Sequence, residues 1–275
     1  MILTTQEKIE RYTANGWWGT KTIGDYFLNL VEQTPEKIAI VDPANKASLC
    51  NSEFLTYTYT QLDDKIDQVA DTLLSLGIEK DGIVAIQLPN IVELVITYFA
   101  VLRVGAIASP FPVQFREFEC TQMLQSLQAK AVITLNEISE REHAKMFKAL
   151  QEQVPSLQHI LTYDKSDLDD VVHINLAQNV APSEQLTRYK ETQDVTANDI
   201  FTICWTSGTE GKAKGVPRSH NEWFISAYAS VYAAQLNADD KILLTFPLVN
   251  MAGIGGVLVP WVLTGGTLVL HHPFD

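Results

Sequence analysis

Residues 206–215 contain the side chains of this sequence that are best suited to hold phosphate groups. The stretch contains three hydroxyls, three glycines and two lysines: Thr206, Ser207, Thr209, Gly208, Gly211, Gly215, Lys212 and Lys214. Glycines let the backbone approach an anion with successive N–H groups directed at it, and the hydroxyl and ammonium groups add donors. The run 199–204 before the loop predicts a strand and the segment after it a helix, so the loop is a candidate phosphate site.

Two familiar phosphate motifs do not fit this loop. In the pattern G-x-x-x-x-G-K-[ST], Thr206 stands where the first glycine belongs and Ala213 where the final hydroxyl belongs. A dinucleotide fingerprint starting at Gly253 also fails, because Leu258 occupies the position of its last glycine. From loop chemistry alone, a plain turn is therefore favoured over phosphate binding.

Charge favours a small anionic ligand over a large one. The net charge is −13, whereas nucleic acids and anionic membranes bind to basic faces, so neither is predicted as a partner. Against that background, Lys212, Lys214, Arg218 and His220 form a local basic cluster in the sequence.

The length of 275 residues predicts about two domains. We place an amino-terminal α/β subdomain at 1–195, with a polar connector at 164–198, and a phosphate-loop subdomain at 196–275. The second subdomain is expected to be incomplete, because the alternating pattern stops after a strand at 267–270.

Neither a secretory leader nor a membrane-spanning helix is predicted. The first residues lack basic and apolar leader regions, and the apolar stretch 251–263 is short and contains Pro260. We therefore expect a cytoplasmic protein.

The cysteines and the histidine pair do not predict a metal site. Cys50, Cys120 and Cys204 are far apart, which favours reduced, buried thiols. His271 and His272 have no third ligand nearby in the sequence, so a strand end is favoured over a metal site.

Strands alternate with helices along most of the chain, which predicts mainly parallel sheets covered by helices on both faces. Apolar runs predict strands at 38–41, 83–86, 107–108, 131–135, 159–163, 242–246 and 267–270. Four helix starts are predicted from a hydroxyl or amide followed three residues later by an acid: Thr22 with Asp25, Thr60 with Asp63, Asn90 with Glu93, and Ser139 with Glu142.

The loop resembles the signature T-S-G-[ST]-T-G-x-P-K-G of the adenylate-forming superfamily, which includes acyl-CoA synthetases and aryl acid–AMP ligases. Further similarity lies in Leu88-Pro89-Asn90, Glu93, Ala100, Arg103, Gly105-Ala106, Pro110, residues 247–253, and residues 10–18 with 217–221. The last two stretches are most similar to the aryl-acid and related carboxylate–CoA ligase branch. The resemblance covers essentially the whole chain and implies the amino-terminal part of that fold.

The resemblance implies ATP-dependent conversion of a carboxylic acid to an acyl-adenylate, followed by transfer to CoA. It assigns ATP phosphates to Thr206, Ser207, Gly208, Thr209, Glu210, Gly211 and Lys214, with Lys214 as the catalytic cation and Mg²⁺ arriving with ATP. It assigns the acyl group to Asn250, Met251, Ala252 and Gly253.

Three positions depart from the family pattern. Glu210 replaces a threonine, so it must point away from the phosphates, pair with Lys212 or meet Mg²⁺. Ala213 replaces a proline, which predicts a more flexible loop. Asn250 stands where many relatives have histidine, which favours a less polar acid, although a helix-capping role is equally compatible.

Later motifs of the family, including its mobile domain with a second catalytic lysine, are absent, so the 275 residues alone are expected to be inactive. Two alternatives remain open: an aryl acid–AMP ligase that loads a carrier protein, and a non-catalytic nucleotide-binding or interaction module. Formation of a homo-oligomer also stays open.

Overall fold

Two β-sheets form the framework of the protein, whose computed structural model describes residues 1–178, 180–206 and 213–272. The strands are β1 Ile38–Val41, β2 Thr56–Thr58, β3 Ile83–Ile86, β4 Ile107–Pro110, β5 Ala131–Thr134, β6 Glu137–Ile138, β7 Arg141–Glu142, β8 His159–Thr162, β9 Val171–His173, β10 Ile200–Thr206, β11 Lys214–Ser219, β12 Lys241–Leu244 and β13 Thr267–Leu270.

Helices connect most of these strands. They are α1 Gln6–Ala14, α2 Ile23–Gln33, α3 Lys46–Cys50, α4 Tyr59–Ser75, α5 Val92–Arg103, α6 Glu117–Leu127, α7 His143–Leu150, α8 Glu184–Thr192, α9 His220–Ala234, α10 Met251–Gly253 and α11 Val259–Thr264, with a π-helical turn at Ile254–Leu258 between the last two.

The larger sheet has seven strands in the order β11-β10-β4-β3-β5-β8-β9, and every neighbouring pair except β10–β11 is parallel. The smaller sheet has the order β12-β13-β1-β2, in which β2 alone runs antiparallel to its neighbour. The prediction of mainly parallel sheets is confirmed.

Both faces of the larger sheet are buried at its central strands, as their near-continuous apolar sequences predict. In β3, Val84 and Ile86 pack into the core that contains the apolar side chains of α4 and α5. Ala85, between them, packs into a second core formed with α6 and α7. Because side chains alternate along a strand, this division places helices on both faces of the sheet, as expected.

The cap predicted for α2 is confirmed. The Thr22 hydroxyl accepts a hydrogen bond from the Asp25 N–H, and the Asp25 carboxylate accepts one from the Thr22 N–H at 2.7 Å. Two other predicted caps are wrong. Thr58 with Gln61, rather than Thr60 with Asp63, begins α4. Ser139 lies in the β6–β7 turn with φ 47°, so it cannot cap α7, which follows Glu142.

Asn90 does not cap α5 either, because its side chain has other partners. The helix follows Ile91, and its first N–H, at Val92, donates to the Asp42 carboxylate at 2.8 Å. Glu93 instead pairs with Lys46, whose ammonium lies 2.7 Å from a carboxylate oxygen of Glu93 and 2.7 Å from one of Asp42. All three side chains are buried, so two carboxylates share one ammonium in the core.

Strand pairing crosses the predicted division at residue 195 in both sheets. β10 lies beside β4 in the larger sheet, and β13 lies beside β1 in the smaller one. Within the connector 164–198, β9 extends the larger sheet and α8 forms a short helix. The division into two subdomains stays a prediction.

Candidate functional site

The two ends of the phosphate-loop candidate lie side by side at the end of the β10–β11 hairpin. Thr206 ends β10 and pairs with Lys214, which begins β11. Both side chains are exposed, and Lys214 forms no ion pair with another residue of the described ranges. The remaining predicted phosphate ligands, Ser207, Gly208, Thr209, Glu210 and Gly211, lie outside those ranges, as does Lys212. Their roles stay predictions.

A cavity of about 340 Å³ opens beside the hairpin ends. Its lining residues are Pro112, Gln114, Phe115, Phe118, Glu119, Gln122, Trp205, Thr206, Ala213, Pro247, Val249 and Asn250. Thr206 and Asn250, which are predicted to bind different substrates, therefore face one space. A concave site with mostly apolar walls and a few polar groups is typical of small-molecule binding.

Three segments build the cavity. One wall is formed by the loop after β4, which supplies Phe115, and by the start of α6, which supplies Phe118. A second wall is the segment 247–250 after β12, and the hairpin forms the third side. The first two walls follow the carboxyl ends of parallel strands, where ligands of open α/β sheets bind.

Trp205 is a fixed part of this surface. Its indole Nε1 donates to the Ser109 hydroxyl at 2.9 Å, and its ring meets the edge of Phe111 at a centroid distance of 6.1 Å. Because the polar end of the indole is satisfied within the protein, the ring offers the cavity an apolar surface.

Asn250 lies where both of its sequence-based roles are compatible: the helix cap is confirmed, and its contact with the substrate stays a prediction. It lines the cavity, and its side-chain oxygen accepts a hydrogen bond from the Gly253 N–H at 2.9 Å, which caps the helical segment that follows. Met251, Ala252 and Gly253 are not among the residues that line the cavity. They form the helical turn that directly follows the wall 247–250. A Cβ at Gly253 would lie 2.6 Å from the Pro247 carbonyl oxygen, so helix and wall touch at this glycine. Substrate contacts for these three residues stay predictions.

The basic cluster expected from sequence is smaller in the structure. His220 is buried, its Nδ1 accepts a hydrogen bond from the Ile23 N–H at 3.2 Å, and burial lowers its pKa to about 4. It is therefore neutral at physiological pH, so its inclusion in the cluster is wrong. Lys214 is the exposed cation that remains at the hairpin end within the described residues.

The cysteines are free and buried, as predicted. His271 and His272 directly follow β13, which is the expected strand end. Within residues 1–178, 180–206 and 213–272, no group of three His, Cys, Asp or Glu side chains has the spacing of a metal site. No helix in these ranges is both long and apolar enough to cross a bilayer.

Two residues at the site were not predicted to act there. Gln87 and Asn90 are buried just beyond β3 and form hydrogen bonds with segments that carry both walls of the cavity. Their position at the carboxyl end of a central parallel strand is a signal that could have indicated them.

Comparison with known proteins agrees with the resemblance in the sequence. The family model described as AMP-binding enzyme matches residues 27–275. The chain is 30% identical over 268 residues to the medium-chain fatty-acid–CoA ligase of Escherichia coli, covering 96% of the chain and 45% of that protein. It is 26% identical over 270 residues to the 2,3-dihydroxybenzoate–AMP ligase of Bacillus subtilis, covering 96% and 46%.

Solved structures show the same fold. The apo structure of MbtA from Mycobacterium smegmatis matches with a TM-score of 0.79 and 23% identity, over 97% of this chain and 46% of that one. The chain spans about half the length of the curated relatives that it matches. Since the family model covers most of the sequence, the chain belongs to the family of AMP-binding enzymes.

Proposed function

We propose that the protein activates a carboxylic acid with ATP to form an acyl-adenylate and then transfers the acyl group to CoA. One observation carries this proposal. An apolar cavity opens at the end of the hairpin that bears Thr206 and Lys214, so an acyl group and a triphosphate can lie next to each other.

The cavity walls favour an acid with an uncharged aliphatic or aromatic group. Phe115, Trp205 and Val249 offer apolar surface, and no described lining residue is basic. Glu119, the acid among these residues, accepts a hydrogen bond from the Arg116 N–H at 3.1 Å and disfavours a carboxylate close to it. The substrate carboxylate is therefore expected to point towards Lys214 while its apolar part enters the cavity.

The hairpin end has the donors that a triphosphate requires. Thr206 offers a hydroxyl and Lys214 an ammonium, and residues 207–212 between them contain two more hydroxyls and two glycines. Donors placed where negative charge collects stabilise the transition state of phosphoryl-type chemistry. Mg²⁺ is assigned to the incoming ATP, and it would offset part of the negative charge of the phosphates.

The proposed reaction has two steps. A carboxylate oxygen bonds to the α-phosphorus of ATP while the bond from that phosphorus to pyrophosphate breaks, and Lys214 offsets the charge of the leaving group. The thiol sulfur of CoA then bonds to the acyl carbon and loses its proton to solvent, while the bond from that carbon to the phosphate oxygen breaks and AMP departs with its electrons. The 275 residues hold the acid and the phosphates, and positioning them together is their main contribution to the rate.

CoA is the preferred acceptor because the fatty-acid relative named above is a CoA ligase. The aryl acid–AMP ligase relative supports a carrier protein as the alternative acceptor. We infer that the protein works in the cytoplasm, where ATP and CoA are present. Homo-oligomer formation stays an open proposal.

Binding to the 275-residue chain tests the cavity assignment. Isothermal titration calorimetry should detect binding of MgATP to the chain. It should also detect binding of at least one acid from a series of straight-chain acids and benzoate. Val249→Trp, which fills the cavity, should weaken acid binding about tenfold or more while MgATP affinity changes about twofold or less. Leu243→Trp is the matched control, because Leu243 is exposed on β12 and away from the lining residues. Acid binding that is unaffected by Val249→Trp would contradict the assignment.

A further inference from the structure

Both walls of the cavity are held by one short segment, residues 87–90, which directly follows β3. The side chains of Gln87 and Asn90 are buried, with 0% and 3% exposure. The Asn90 amide forms three hydrogen bonds and the Gln87 amide four, one of them to the Cys120 Sγ at 3.8 Å, all with parts of the chain that are distant in sequence. The proposed reaction leaves both side chains without a role.

Gln87 holds the wall between β4 and α6. Its Nε2 donates to the carbonyl oxygens of Pro112 at 2.9 Å and Phe115 at 3.1 Å. Pro112 and Phe115 both line the cavity. Carbonyl oxygens only accept hydrogen bonds, so the amino side of the Gln87 amide must face them.

His143 fixes the opposite side of that amide. Its Nδ1 lies 2.8 Å from the Gln87 Oε1, which only accepts, so Nδ1 carries the proton. The Nε2 atom is then an acceptor, and the Arg116 guanidinium lies 3.4 Å from it. Burial, with the positive charges of Arg116 and Arg141, lowers the pKa of His143 to about 4, so the ring is neutral at physiological pH.

Asn90 holds the opposite wall. Its Nδ2 donates to the carbonyl oxygens of Phe246 at 2.8 Å and His271 at 2.9 Å. Its Oδ1 accepts from the Leu248 N–H at 2.9 Å. Phe246 and Leu248 flank Pro247, a lining residue, so Asn90 sets the position of the wall from inside the protein.

We propose that Gln87 and Asn90 are positioning residues that fix the width of the cavity and thereby determine which acyl group it accepts. This inference rests on the proposed function, since it concerns the same cavity. Each amide donates to two backbone carbonyls and accepts one hydrogen bond, a pattern that neither a carboxylate nor a hydrocarbon side chain can reproduce. Removing the Gln87 amide takes a donor from the carbonyl oxygens of Pro112 and Phe115. Removing the Asn90 amide leaves the buried Leu248 N–H without its acceptor, and in each case the wall shifts to regain partners.

Selectivity among acids separates a positioning role from a structural one. If a variant merely lowers the folded fraction, every apparent dissociation constant rises by the same factor. If a cavity wall moves, acids of different length are affected differently. The ratio of two dissociation constants is therefore the informative quantity.

The test compares Gln87→Met and Asn90→Leu with the wild-type 275-residue chain. Calorimetry gives dissociation constants for straight-chain acids of six to twelve carbons. We expect the ratio between the preferred acid and the next longer one to fall about tenfold, the discrimination that one methylene provides in a well-packed pocket. Gln87→Glu and Asn90→Asp, which keep the accepting oxygen but lose both donors, should shift the ratio in the same direction and serve if the first pair does not fold.

Asn221→Leu is the matched control. Asn221 is a buried asparagine with three amide hydrogen bonds, to the Gly19 N–H, the Gly19 carbonyl and Asn198. None of these partners lines the cavity. This variant should lower the denaturation midpoint and leave the acid ratio unchanged. Unchanged ratios in folded Gln87 and Asn90 variants would overturn the positioning role and leave the proposed function standing. Failure of the wild-type chain to bind any acid would overturn both.

Discussion

Gly253→Ala should damage the wall of the cavity, because this glycine touches the backbone of the wall. A Cβ at this position would lie 2.6 Å from the Pro247 carbonyl oxygen and 2.9 Å from the Leu248 Cα, whereas ordinary contacts begin at 3.4 Å. Both neighbours are backbone atoms, so no side-chain rotation relieves the contact and the wall must move. Overpacking of this kind lowers the free energy of unfolding by about 1–3 kcal/mol.

Gly256→Ala provides the matched comparison within the same helical run. A Cβ there meets nothing within 4 Å, so alanine should raise the free energy of unfolding by about 0.5–1 kcal/mol through its better helix propensity. Urea unfolding at constant m-value measures both changes in the free energy of unfolding. Calorimetry measures the dissociation constant of the preferred acid, which depends on the position of the wall. Gly253→Ala should also weaken acid binding, whereas Gly256→Ala should not. Equal stability and equal acid affinity of the two variants would refute this reasoning.

Three further predictions concern buried charge, phosphate binding and pH. Lys46→Met leaves the buried carboxylates of Asp42 and Glu93 unpaired and should lower the free energy of unfolding by about 3–5 kcal/mol at pH 7. Burial already raises the pKa of both acids, so the deficit measured by urea unfolding should shrink as the pH falls towards 5; a constant deficit would contradict the charge explanation. Lys214→Ala should weaken MgATP binding about tenfold, as expected for loss of a charged hydrogen bond, and leave acid binding to the chain intact; calorimetry with either ligand decides. His220 has a folded pKa of about 4, below its unfolded value, so its contribution to stability is present above pH 6.5 and is lost as the pH falls towards 4. His220→Gln should therefore flatten the fall of unfolding free energy over this range, and an unchanged slope would exclude the histidine as its cause.

The fold could be predicted because its signals are local in the sequence. Apolar runs such as 83–86 and 131–135 mark strands that are buried on both faces, and Thr22 with Asp25 marks a helix start within four residues. These features depend on neighbours a few positions away, which a single sequence displays directly.

The cap assigned to Asn90 failed because its partners are remote. Glu93 stands three residues on, as a capping pattern requires, yet the Asn90 amide binds the carbonyls of Phe246 and His271, 156 and 181 residues away. Only the packing of the two sheets brings these groups together. A local capping rule therefore finds the helix and misassigns the side chain.

The same limit applies to His220 and to the cavity. The sequence neighbours of His220 suggested a positive cluster. Its ring is instead stacked on Phe201 at a centroid distance of 5.6 Å and is buried by the tertiary fold. Asn250 and Thr206, which their motifs indicate, both line the cavity, and their substrate contacts stay predictions. The facing wall with Phe115 could not, since its loop has no phosphate or capping signal of its own.

Acid-dependent exchange of labelled pyrophosphate into ATP by the intact gene product tests the central proposal most directly. We expect exchange with at least one acid that has an uncharged aliphatic or aromatic group. It should be lost in Lys214→Ala and strongly reduced in Val249→Trp, and it should be retained in Leu243→Trp. If no acid supports exchange although MgATP binds, or if Val249→Trp exchanges as fast as the wild type, the cavity is not the site of acid activation.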